Sequence, residues 1–123
     1  KTTRDIHQKI WNDQTRQKEN FVEAYGYYYQ MAVYIELIRQ TFDIDCLPFI
    51  FAVSKQTPPD VEVLDFVSDE SQELLDLAMQ DILDKQPRIW KLIKGEEKPK
   101  RCEQCEYCRA TKQLTKFVHA DEL

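Results

Sequence analysis

The sequence predicts an α/β sandwich of modest size, and three observations predict it. From Phe21 to Gln40, apolar or aromatic residues recur at Phe21, Ala24, Tyr25, Tyr28, Met31, Ala32, Ile35 and Ile38, the three-to-four spacing of a helix with a broad buried face. Two short apolar runs rich in β-formers come next, Leu47 to Val53 and Val61 to Val67, with the turn-forming Lys55 to Asp60 between them. A second amphipathic segment starts near Ser68, with Leu75, Ala78, Met79, Ile82 and Leu83 on one face. One helix crossing between two strands of a sheet, then a hairpin and another helix, gives this layered class.

Along the chain, Lys1-Thr2-Thr3 reads as the end of a strand, because Thr2 and Thr3 are β-branched, and Thr3 or Asp5 is placed to cap the next element. Ile6 to Asn20 holds only Ile6, Ile10 and Trp11 as large apolar residues and is expected as a short helix or ordered loop. The long helix is expected to run unbroken to about Thr41, carrying Gly26 inside it at a cost of about 1 kcal/mol relative to alanine. Pro48 is tolerated at the start of the first apolar strand. Ser68 or Asp69 caps the next helix, whose acidic first turn suits the helix dipole, and Pro87 is expected to break it near Lys85. Arg88 to Lys94 forms a further short helix ended by Gly95, and a helical turn is expected near Thr111 to Phe117.

The 123 residues, 42% of them hydrophobic, suffice for one domain with a real core. A partial core over residues 1–95 and a cysteine-bearing tail over residues 96–123 are expected. Lys1 stands where a methionine would open a whole protein, which reads as a piece of a longer chain. A net charge of −5 argues against a protein that coats nucleic acid non-specifically. It leaves room for a local basic strip, and Lys85, Arg88, Lys91, Lys94, Lys98, Lys100 and Arg101 supply one against only Glu96 and Glu97, although a charge run is as often a solvated face. No run of eighteen apolar residues is present, and the chain reads as soluble, intracellular and away from membranes.

Two constellations carry chemistry. Gln30 and Tyr34 are four apart, so an amide and a phenol leave the same side of the helix and can reach one ligand, while the plainer reading of Gln30 is a boundary residue bonded to backbone. Cys102-x-x-Cys105-x-x-Cys108 brings thiols two residues apart to one side of tight turns, as a metal or cluster requires. Three thiols leave a closed site one ligand short. Cys46 is a candidate fourth or a small buried residue, and reduced, unliganded thiols remain the competing reading.

Taken together, Lys1 at the end of a strand, Gln30-x-x-x-Tyr34 on the following helix, an apolar strand after it and a C-terminal cysteine cluster resemble the C-terminal half of a PD-(D/E)XK nuclease core, a mixed sheet flanked by helices. The branch it resembles is the RecB-like one, nearest to phage recombination exonucleases of the RecE kind. The resemblance implies that Lys1 is the motif lysine, orienting an attacking water, and that Gln30 and Tyr34 hold the water, a base or a phosphate. It implies Mg²⁺ as cofactor, bound by carboxylates that precede the motif lysine and so lie outside this sequence. In related RecB-like nucleases an iron–sulfur cluster takes one cysteine far upstream and three at the C-terminal end. Cys102, Cys105 and Cys108 would then hold such a cluster or zinc. Duplex DNA ends as substrate, a single-strand annealing protein as partner and a homo-oligomeric assembly come from the same resemblance. The competing class is a non-catalytic, metal-stapled α/β module that binds protein or nucleic acid.

Overall fold

Thr2 and Thr3 form β1, the short strand predicted at the start of the chain, and it pairs in parallel with β4, Phe49–Ser54, so that Thr2 lies opposite Val53 and Thr3 opposite Ser54. Antiparallel to β4 on its other side runs β5, Val61–Asp65, with Phe51 opposite Val63. The sheet order is therefore β1-β4-β5, with the helical crossover and hairpin that the sequence predicts. These features belong to a computed structural model that describes residues 1–13, 15–114 and 117–122. The chain forms two compact units, Lys1–Gln86 and Pro87–Leu123.

Within the first unit, Ile6 to Asn20 is neither a helix nor a plain loop. It is a two-stranded antiparallel ribbon of β2, Ile10–Asn12, and β3, Gln17–Glu19. Local polar bonds select it. The Arg16 amide donates to the Asn12 carbonyl at 2.9 Å, Arg16 takes a left-handed φ of 54°, and the Asn12 side chain donates to Glu19 across the ribbon at 2.7 Å.

The expected single helix is two. α1 spans Phe21–Ala24 and α2 spans Tyr27–Phe42, divided by Gly26 at φ 65°. The Gly26 amide closes the first helix on the Glu23 carbonyl (2.9 Å), and its own carbonyl opens the second by accepting from Gln30 (3.2 Å). A left-handed residue at such a junction favours glycine. Asn20, rather than Thr3 or Asp5, caps α1, in a reciprocal box with Glu23.

On β4 burial alternates: Ile50 and Ala52 face the core, whereas Phe49 and Phe51 are exposed. Ile50 and Ala52 share that core with Met31 and Ala32 of α2, Phe66, and Leu75 and Ala78 of α3, which spans Asp69–Ile93. Phe66 also meets the Tyr28 ring edge-on, with centroids 5.4 Å apart. Burying Ile50 or Phe66 contributes roughly 1.5–3 kcal/mol each. The opposite face of the hairpin shows Phe49, Phe51, Val61 and Val63, each more than half exposed. Between the two strands, the buried Ser54 hydroxyl closes the turn by accepting from the Asp60 amide at 2.9 Å.

α3 begins as expected, with Ser68 accepting from the Ser71 amide at 3.2 Å, but it continues through Pro87 to Ile93. Proline removes one donor from the ladder, that toward Leu83, and a helix with good bonds on both sides tolerates this. Gly95, at φ 74°, ends the helix as predicted, its amide donating to the Leu92 carbonyl at 3.1 Å. In the second unit α4 covers Glu106–Ala110, and a short 3-10 turn covers Ala120–Glu122. The helical turn expected at Thr111 to Phe117 thus lies earlier, while Thr115 and Lys116 fall outside the described residues. No helix among the described residues is long and apolar enough to cross a membrane.

Candidate functional site

β1 and β4 together fix Lys1. Its carbonyl accepts from the Val53 amide at 3.0 Å and its main-chain nitrogen donates to the Phe51 carbonyl at 2.6 Å, so the residue sits in register at the sheet edge. Its side-chain ammonium lies over the Tyr27 ring, 4.9 Å from the centroid. At an exposed position such a contact contributes about 0.5–1 kcal/mol, enough to bias a flexible side chain toward one place.

Lys1 also lines a groove of about 460 Å³ in the first unit, together with Tyr34, Cys46 and Phe51 among others. A second hollow, of about 500 Å³, is lined by Tyr27, Gln30 and Tyr34 among others. Tyr34 borders both hollows, and Tyr27 borders the second while carrying the Lys1 ammonium on its ring. The structure thus brings Lys1 and Tyr34 to one groove, and Gln30 with Tyr34 to its neighbour.

Tyr27 is the member that the sequence reading passed over. Its signal was present, since Tyr27, Gln30 and Tyr34 are spaced three and four apart and so share one helix face. Gln30 itself is half-buried, and its Oε1 is buried with no hydrogen-bond partner. Leaving a buried amide oxygen unpaired costs about 1–3 kcal/mol, so this acceptor keeps its full capacity for a further donor. Its Oε1 makes no backbone bond of the kind the plainer reading expects.

Among the described residues, no Asp or Glu lines the groove beside Lys1. Magnesium takes hard oxygen ligands, chiefly carboxylates and water, so the residues of this groove do not by themselves fit a Mg²⁺ site.

In the second unit the Cys102, Cys105 and Cys108 sulfurs all lie within 4.8 Å of one another. Among the described residues this is the one convergence of three or more His, Cys, Asp or Glu side chains. The turns that build it are bonded to the sulfurs: the Cys105 amide donates to Cys102 Sγ at 3.3 Å, and the Cys108 amide to Cys105 Sγ at 3.5 Å. Those main-chain donors, first from Cys105 and then from Gln104, bring the Cys102 thiol down to about 7. At Cys105 the Cys108 amide also pulls downward, but the two neighbouring thiols, with some desolvation, outweigh it, and the group is raised. Cys102 and Cys108 are 3.8 Å apart, and two sulfurs about 2.3 Å from a tetrahedral metal are themselves separated by roughly 3.8 Å. The three soft donors therefore fit a single tetrahedral metal ion such as zinc and leave one position for another ligand. Cys46 belongs to the first unit, in the groove with Lys1.

Residues 1–111 match the model of a PDDEXK-like domain of unknown function, DUF3799. The chain belongs to this PDDEXK-like family. Among solved structures, this PDDEXK-like chain is similar to a "putative exonuclease" from Eubacterium rectale, with a TM-score of 0.81 and 32% sequence identity over 99% of the chain. It spans 44% of that protein. No curated protein matches. The three-stranded mixed sheet with its crossover and flanking helices is accordingly a PDDEXK-like α/β fold.

Proposed function

We propose that the chain is the C-terminal part of a Mg²⁺-dependent deoxyribonuclease that hydrolyses phosphodiester bonds at duplex ends, in the manner of RecE-like recombination exonucleases. The observation that supports this reading is Tyr34 standing between two hollows, one shared with Lys1 and the other with Tyr27 and the unpaired Gln30 oxygen, within a PDDEXK-like fold. The name of the Eubacterium rectale protein supports the exonuclease class.

Each residue has a task on this reading. The Lys1 ammonium, steadied by Tyr27, orients the attacking water and shares its charge. Tyr34 donates its hydroxyl to a phosphate oxygen at the boundary of the two hollows. Gln30 Oε1 accepts from the water or from a base amino group, which relieves its unpaired state. The carboxylates that bind magnesium belong to residues outside these 123. The thiol triangle holds zinc or an iron–sulfur cluster, with its last ligand also supplied from outside. An annealing protein as partner and a homo-oligomer remain part of the same proposal.

In the intact enzyme, Gln30→Ala is expected to lower turnover on linear duplex DNA at least tenfold while its thermal midpoint stays within a few degrees, since the amide holds substrate and makes no bond within the fold. Unchanged turnover with a large fall in thermal midpoint would make Gln30 structural and would leave the metal-stapled binding module as the better reading.

A further inference from the structure

The basic strip picked out in the sequence finds no place in that groove, and the structure sorts its members. Lys85 is bonded to Asp81 at 2.6 Å, Arg88 to Glu97 at 2.8 Å and Arg101 to Glu103 at 2.7 Å. Among the described residues, Lys91, Lys94, Lys98 and Lys100 have no carboxylate within ion-pair distance, and all four are exposed. The C-terminal turn of α3 arranges this selectively. The amides of Glu96 and Glu97 fold back onto the Lys91 carbonyl, at 2.9 and 3.3 Å, and this return delivers Glu97 to Arg88. Residues 87–101 hold six basic and two acidic side chains, a local charge of +4 in a chain of −5.

A helix C-terminus favours lysine through its dipole, which accounts for Lys91 and Lys94. It does not account for Trp90, which leaves 53% of its surface in water one residue before Lys91 and one turn before Lys94. Protein-docking surfaces are depleted in lysine, whereas this indole and the exposed Ile89 and Ile93 beside it stand within about one turn of the unpaired Lys91 and Lys94. An open indole flanked by unpaired ammonium groups instead matches what a nucleic-acid strand offers, phosphates outside and flat base faces within. A duplex keeps its base faces stacked on one another, whereas a single strand presents them.

We propose that residues 90–100 form a docking strip for single-stranded DNA, with Trp90 stacked on a base and Lys91, Lys94 and Lys98 on successive phosphates. Only the choice of DNA over RNA rests on the nuclease reading. The strip itself is tested by binding without cleavage, so its failure and that of the groove assignment are read separately.

The experiment uses the 123-residue chain carrying Trp11→Phe, which leaves Trp90 as its one indole, at pH 7.5 without divalent metal. Titration with a twelve-nucleotide oligothymidylate is expected to quench Trp90 fluorescence saturably, and a blunt twelve-base-pair duplex to do so at least tenfold more weakly. Three phosphate contacts predict an affinity loss of about 20-fold between 50 and 200 mM salt. With a labelled oligonucleotide, Trp90→Ala should weaken binding about tenfold and Lys91→Glu with Lys94→Glu still further, each with an unchanged circular dichroism spectrum. Absence of quenching, equal quenching by the duplex, or equal quenching by polyglutamate, which would mark the strip as a site for acidic proteins, would each overturn the proposal.

Discussion

Cys102 and Cys105 stand three residues apart, yet their surroundings drive their thiols in opposite directions. Cys102 collects amide donors and is brought down to about 7, while Cys105 is crowded by two other thiols and raised. Alkylation of metal-free protein by iodoacetamide should therefore reach half its maximal rate at Cys102 near pH 7, and at Cys105 only at distinctly higher pH, as read by mass spectrometry of labelled peptides. Below that midpoint Cys102 is a thiol and reacts slowly; above it the thiolate is present and the rate levels off. Identical profiles for the two would show that the turns bonded to the sulfurs do not persist in solution. Gln30 shows the limit of reading at this scale. Its spacing from Tyr34 is visible in the sequence, but the lack of a partner for Oε1 depends on where every neighbouring donor lies, and no local pattern encodes that.

Among the elements, the crossover and hairpin were legible because their patterns are long: two apolar runs around a turn, and twenty residues of helical period. The break at Gly26 was not, since the aromatic period runs straight through it and one glycine was weighed as a cost within a helix rather than as a junction. The ribbon at Ile10–Glu19 was missed because side-chain bonds such as Asn12 to Glu19 build it rather than any apolar alternation. Pro87 misled in the other direction, as a lost hydrogen bond is a finite penalty and α3 absorbs it. The Gly26 junction can be tested. An added Cβ would approach no closer than 4.0 Å, to Tyr29, so the cost of Gly26→Ala is that of holding alanine at φ 65°. This is about 1–2 kcal/mol, a fall of roughly 4–12 °C in thermal midpoint. An unchanged midpoint would mean that α1 and α2 are continuous in solution.

For the whole molecule, no carboxylate among the described residues lines the groove that holds Lys1, so the 123 residues alone should leave linear duplex DNA intact in the presence of Mg²⁺. Digestion by this chain that an identically purified Lys1→Ala variant lacks would place the catalytic carboxylates within these residues after all. The outward face of the β4–β5 hairpin bears on handling as well as on chemistry. Phe49, Phe51, Val61 and Val63 lie there in water, and at neutral pH the charge of −5 opposes non-specific sticking of one copy to another. The sequence isoelectric point is about 5.1. As pH falls from 7.5 toward that value the repulsion fades while the apolar attraction stays, so the second virial coefficient measured by light scattering should turn from positive to negative. Phe51→Lys, which removes an aromatic face and adds a charge, should delay that change of sign. In colloidal terms, the hairpin is a sticky spot on a charged particle, and acidity of the buffer sets how often two such particles remain together after they collide.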